Sequence, residues 1–180
     1  MDEPYSPVTD DYALWSCEDE DATETEVIQL LGALVATTKP KICVEVGAYT
    51  GLSSFEIGSA LKRNGRGHLH SFEIDPGHAA TAAERTAGLP VTVHPIADTE
   101  YDPANLEGPV GFLFVDGDLD NRSSSLVHWR PWLSSNSIVA VHDSLKWYDV
   151  QLAIESVEYL QRIDIVTPRG LTLMTLAPEA

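Results

Sequence analysis

The sequence is poor in cysteine, in long apolar runs and in positive charge, and each shortage narrows what the chain does. Its two cysteines, Cys17 and Cys43, are too few for a disulfide framework or a cysteine metal cluster. Cys43 sits in the apolar run Ile42-Cys43-Val44 and reads as a small buried hydrophobe. Cys17 lies among acids, which disfavour a reactive thiolate. No apolar stretch approaches the ~20 residues of a membrane span, and no basic region precedes an apolar core as in a signal peptide. The cytoplasm is therefore the expected compartment. Lysine and arginine number 11 against 28 aspartates and glutamates, a formal charge of −17. Such a surface repels nucleic acid phosphates and anionic lipids, so neither nucleic acid nor membrane is an expected partner. It suits a neutral or cationic small molecule or a divalent metal, and it also serves simply to keep the surface solvated.

What is present is the making of one globular domain. Hydrophobic residues form 43% of the 180, enough to fill a core. Residues 1–22 hold two prolines and a cluster of acids from Asp10 to Asp21, without apolar periodicity. They read as an acidic N-terminal arm, loosely docked at most, with Tyr12, Leu14 and Trp15 able to pack. Residues 23–180 read as the domain. Thr23 and Glu26 form a capping-box pattern ahead of Val27, Ile28, Leu30, Leu31 and Leu34 at helical spacing, and Pro40 ends that run.

From Ile42 onward strands and helices alternate. Strands are expected at 42–46, 68–74, 91–95, 110–115 and 138–141. Helices are expected at 52–62 and 76–87, around 126–133 as far as Pro131 allows, and along the face of Val150, Ala153, Ile154 and Val157. Two closing runs, 163–166 and 171–176, are joined by a Pro168-Arg169-Gly170 turn too short for a parallel crossover, so they must be antiparallel. The expected fold is an α/β, Rossmann-like, mostly parallel sheet with helices on both faces and a C-terminal antiparallel hairpin.

Ligands of such sheets bind beyond the carboxyl ends of the strands. The first strand ends in Glu45-Val46-Gly47-Ala48-Tyr49-Thr50-Gly51, where Gly47 and Gly51 permit a tight turn and close backbone approach. The second strand ends at Glu73, placed to accept hydrogen bonds from ribose hydroxyls. Together these features indicate a nucleoside cofactor. The loop is E-x-G-x-x-x-G rather than the dinucleotide G-x-G-x-x-G. Its acid would repel a pyrophosphate and attract the ammonium of a methionine moiety, which favours S-adenosylmethionine over a nicotinamide dinucleotide.

The stretch from Thr23 through Val44-Glu45-Val46-Gly47-Ala48-Tyr49-Thr50-Gly51-Leu52-Ser53 resembles the cation-dependent small-molecule O-methyltransferases of the catechol and caffeoyl-CoA type. Phe72-Glu73-Ile74-Asp75, Phe114-Val115-Asp116-Gly117-Asp118 and Val141-His142-Asp143-Ser144 continue the likeness in order, so that it covers about residues 23 to 148. The D-G-D-L form of the fourth-strand motif is also similar to macrolide and aminocoumarin sugar O-methyltransferases. The resemblance implies a class I methyltransferase fold with a seven-stranded sheet. It further implies S-adenosylmethionine as cofactor, with Glu45, Gly47, Tyr49 and Ser53 around its methionine part, Gly51 also in the cofactor site, Glu73 on the ribose, and Ala97 and Asp98 beside the adenine. Asp116 would be both cofactor contact and catalytic residue. Asp116 and Asp143 would be metal ligands.

Two carboxylates at adjacent strand ends can converge on Mg²⁺ or another divalent ion, which would orient two neighbouring substrate oxygens and ease ionisation of the hydroxyl to be methylated. They can equally cap helices and bind the cofactor's amino group. The chain departs from the family in two places. Ser144 stands where many members have an asparagine ligand, and Leu119 where catechol-type enzymes carry the lysine base. His142 is then a candidate catalytic base, beside Asp116 itself or metal-assisted ionisation alone, although a buried histidine held by a backbone hydrogen bond would look the same. Among the tryptophans, Trp147 is the expected substrate contact, whereas Trp132 reads as helix-packing core. The expected activity is methylation of a hydroxyl on a small molecule, with a homodimer possible in principle. The alternatives are a metal-independent O- or N-methyltransferase and a catalytically silent S-adenosylmethionine-binding protein.

Overall fold

The computed structural model describes residues 14–176; Tyr12 lies outside them. Strands β1 (Ile42–Val46), β2 (His68–Phe72), β3 (Val91–His94), β4 (Val110–Val115), β5 (Leu133–His142), β6 (Tyr159–Ile165) and β7 (Leu171–Leu176) alternate with helices. The helices are α1 (Thr25–Thr38), α2 (Leu52–Asn64), α3 (Pro76–Arg85), α4 (Arg122–Trp129) and α5 (Tyr148–Glu155). The strands form one seven-stranded sheet of order β3-β2-β1-β4-β5-β7-β6. β1 through β5 are parallel, and β7 runs antiparallel to both β5 and β6. This is the sheet expected from the sequence, with β7 inserted inside the edge strand β6.

The two faces of the central strands bury separate cores. Val44 and Val46 of β1 pack with Leu113, Val115, Trp129 and Ile154, under α4 and α5. Cys43 packs on the opposite face with Leu31, Ile57, Leu61 and Phe114, under α1 and α2. Side chains of a strand alternate between faces, so Glu45 shares the face of Cys43. Burial pushes the Cys43 thiol pKa well above its ordinary value, in keeping with an inert packing role. No helix among the described residues is long and apolar enough to cross a membrane.

Several local expectations are corrected. Thr23 does not cap α1: the first helical residue is Thr25, Glu24 is the N-cap, and no side chain bonds the helix start. The Thr23 hydroxyl instead donates to Asp116 Oδ2 at 2.6 Å, and Glu26 accepts from Ser16 Oγ at 3.0 Å. A charged acceptor at the end of β4 outcompetes the local capping bond. Residues 16–22 are docked rather than loose. Ser16 O accepts from Thr25 N at 2.7 Å, and Glu18 pairs with Arg85 at 3.3 Å. Ile74 falls outside β2 and is 58% exposed. Pro131 ends α4 at Trp129, leaving a single 3₁₀ turn over 130–132 in which Trp132 is exposed, not core. Trp129 is the buried one, and its indole donates to Asp98 Oδ2 at 2.9 Å.

Candidate active site

Strand order reverses between β1 and β4, and the carboxyl ends of β1, β2, β4 and β5 open there onto a cavity of about 1020 Å³. That volume lies at the upper end of the ~300–1,000 Å³ typical of small-molecule sites. Gly47, Tyr49, Ser53, Glu73, Ala97, Asp98, Asp116, Asp143 and Trp147 line it; Glu45, Gly51 and His142 do not.

The β1–α2 loop is shaped by two glycines with left-handed backbone. Gly47 has φ 88°, and a Cβ there would lie 2.6 Å from the Asp116 carbonyl oxygen. Gly51 has φ 85° and packs so close to α3 that a Cβ would lie 2.7 Å from Ala82 Cα. Only glycine meets both demands without strain. The loop carries Tyr49 past the end of β2, where its amide donates to Glu73 Oε2 at 2.7 Å; the Asp75 amide donates to Glu73 Oε1 at 2.9 Å. The Glu73 carboxylate is thus fixed by one amide on each oxygen. Each oxygen keeps a further lone pair for a donor in the cavity, and the arrangement fits a pair of ribose hydroxyls. Opposite, Asp98 accepts from Ser125 Oγ at 3.1 Å and from Trp129, which fixes the wall beside Ala97.

Glu45 departs from its expected position. It is fully buried beneath the loop, where Ser54 Oγ and Ser71 Oγ donate to Oε2, the latter at 2.5 Å, while Oε1 has no partner. Burial outweighs these hydrogen bonds and raises its pKa. A carboxyl facing the α2 side of β1 is not a wall of the cavity, whereas Asp116 and Ser53 are.

Asp116 and Asp143 come together as the ends of β4 and β5 demand, and they share a guanidinium. One Arg122 Nη lies 3.1 Å from Asp116 Oδ1 and 2.8 Å from Asp143 Oδ2. Its Nε donates to the Gly117 carbonyl at 3.0 Å and the other Nη to the His142 carbonyl. His142 is also committed: Nδ1 is 3.0 Å from Asp116 Oδ1 and Nε2 is 2.6 Å from Glu24 Oε2. Burial disfavours its cation, but Asp116, Glu24 and Asp143 prevail and raise the pKa to about 9. The same contacts hold Asp116 and Glu24 below their ordinary values against the cost of burial. With both nitrogens bonded to carboxylates and no exposure to the cavity, the imidazole is not placed to meet a substrate proton.

The ligand atoms of Asp116, His142 and Asp143 lie within 4.8 Å of one another, close enough for a metal set. Their chemistry does not fit one as arranged. Both ring nitrogens of His142 are already engaged by Asp116 and Glu24, and three of the four carboxylate oxygens already accept hydrogen bonds from Thr23, Arg122 or His142. Asp143 Oδ1 and Ser144 Oγ are buried without hydrogen-bond partners, but Arg169 Nε lies 3.6 Å from the former.

Glu24, Thr23, Arg122 and Arg169 were not legible as site residues. The one local signal is Arg122 as first residue of α4, where the helix dipole disfavours a cation.

A family model described as a methyltransferase domain matches residues 44–144. None of the curated proteins compared matches in sequence. Solved structures share the fold at low identity. The O-methyltransferase TomG from Streptomyces achromogenes, involved in tomaymycin synthesis and solved with SAM, is 19% identical, with TM-score 0.73 over 92% of this chain and 93% of its own. The SAH-bound methyltransferase PaMTH1 of Podospora anserina is 16% identical, with TM-score 0.71 over 88% and 81%. An O-methyltransferase from Bacillus cereus, in complex with SAH, is 14% identical, with TM-score 0.70 over 88% and 84%.

Proposed function

The chain belongs to the methyltransferase-domain family, and from that membership we propose that it transfers the methyl group of S-adenosylmethionine to a hydroxyl of a small molecule. The observation that carries this reading is the fixed Glu73 carboxylate facing a cavity roofed by the Gly47–Gly51 loop. Glu73 would hold the ribose, Ala97 and Asp98 would border the adenine, and Ser53, Tyr49 and Asp116 would surround the methionine part. The acceptor would lie toward Trp147, on the side of Asp118 and Asp143.

The donor methyl is already activated as a sulfonium, so the protein's share is mainly to position and to exclude water. The acceptor oxygen forms the new C–O bond as the C–S bond breaks, and sulfur keeps the electron pair. The hydroxyl proton leaves to water or to Asp118, an exposed carboxylate of the cavity wall. His142 takes no part in that transfer and serves to position Asp116. The acidic surface supports a neutral or cationic acceptor rather than nucleic acid or membrane.

Metal assistance is a second reading, favoured by the closeness of Asp116, His142 and Asp143 and opposed by the bonds those groups already make. Incubation with methyl-labelled donor and a panel of phenols, catechols and sugars tests the main reading. A labelled ether is expected from at least one hydroxyl acceptor. Label found only on amines would contradict the proposal, and donor binding without any product would favour the silent cofactor-binding protein.

A further inference from the structure

We propose that Arg122 is the resident cation of the Asp116–Asp143 pair, its guanidinium filling the position where a divalent ion would otherwise bind. The inference rests on the proposed methyl-transfer site but concerns which cation completes it.

Arg122 is 2% exposed, and all of its nitrogens are engaged. The Gly117 and His142 carbonyls take Nε and one Nη, and the two carboxylates share the other Nη. A guanidinium cannot be deprotonated in this setting, so its charge is permanent. Arg122 and Arg169 already face Asp116, Asp143 and Glu24 through pairs of 2.8 to 3.9 Å. A dication entering between the two carboxylates would have to expel the guanidinium from both, leaving a buried cation without its charge partners. Seated at the start of α4, where the helix dipole opposes a cation, Arg122 is held by these acids and by the Gly117 and His142 carbonyls.

The substitution bears on the acceptor. A divalent ion would select substrates offering two neighbouring oxygens as chelating ligands. A guanidinium already bound to both carboxylates makes no such demand, so a single hydroxyl suffices.

Electron paramagnetic resonance of Mn²⁺ titrated into the folded full chain tests the assignment without donor or acceptor, so its outcome is independent of whether methyl transfer occurs. The wild type and Asp143→Asn should give the same weak, nonstoichiometric uptake expected of an acidic surface. Arg122→Met should gain one Mn²⁺ equivalent, at least tenfold tighter, which Arg122→Met with Asp143→Asn loses. One stoichiometric Mn²⁺ in the wild type that Asp143→Asn removes would overturn the proposal, and so would a folded Arg122→Met that gains none. Circular dichroism establishes folding; should Arg122→Met fail to fold, the comparison of wild type with Asp143→Asn still decides the matter.

Discussion

His142 Nε2 lies 2.6 Å from Glu24 Oε2 although 118 residues separate them, and both side chains are buried. The contact joins the segment before α1 to the end of β5. Glu24 is held in turn by the Arg169 amide at 3.2 Å, from the turn between β6 and β7. Three distant pieces of chain therefore meet behind Asp116, which His142 bonds through its other nitrogen.

Removing one partner of a buried ion pair leaves the other uncompensated, at a cost of about 3–5 kcal/mol. Glu24→Gln should lose roughly that much stability in urea unfolding, and the His142 imidazole should titrate lower in proton NMR. Unchanged stability would mean that the pair is not closed in solution.

The pH dependence follows from the same group. His142 is raised from 6.5 to about 9 by Asp116, Glu24 and Asp143, against the effect of burial. A proton held more tightly by the folded state stabilises fully below the unfolded pKa and is lost as pH rises through the folded one. At about 1.4 kcal/mol per pKa unit, the wild type should lose on the order of 3 kcal/mol between pH 6.5 and about 9. A His142→Gln variant should show a flatter profile over that window. Glu24 and Asp116, both lowered, act in the opposite direction: their contribution is present above ordinary carboxylate pKa values and disappears as pH falls through the depressed ones. Unfolding curves recorded across both windows check the two limbs separately.

Glycine replacements separate backbone strain from crowding. Gly65 has φ 66° with nothing within 4 Å of an added Cβ, whereas Gly47 has φ 88° and the Asp116 carbonyl 2.6 Å away. Gly65→Ala should cost about 1–2 kcal/mol for the left-handed conformation alone. Gly47→Ala should cost more and should also weaken cofactor binding, because relief of the clash moves the loop that carries Tyr49. Equal effects of the two changes would show that the loop has room to relax.

The fold was largely legible because its signals are local. The apolar runs of β1, β4 and β7 and the short turn before Gly170 fix strands and direction without reference to the rest of the chain. The burial of Glu45 is not legible from its end-of-strand position alone, because that position does not give its face. Alternation puts it with Cys43, toward Ser54 on α2, and Glu73 rather than Glu45 reaches the cavity. The capping box at Thr23 failed for a different reason. A hydroxyl chooses its strongest acceptor, and Asp116 lies 93 residues away. Arg122 was illegible on similar grounds, since its partners at the ends of β4 and β5 become neighbours only once the sheet has formed.

Calorimetric titration of S-adenosylhomocysteine into the wild type and Glu73→Ala tests the central claim most directly. Charge-assisted hydrogen bonds of about 1.5–3 kcal/mol predict one binding event per chain in the wild type, weakened at least tenfold in Glu73→Ala. A folded wild type that releases no heat with this compound or with S-adenosylmethionine, or a Glu73→Ala variant that binds it equally well, would contradict the account.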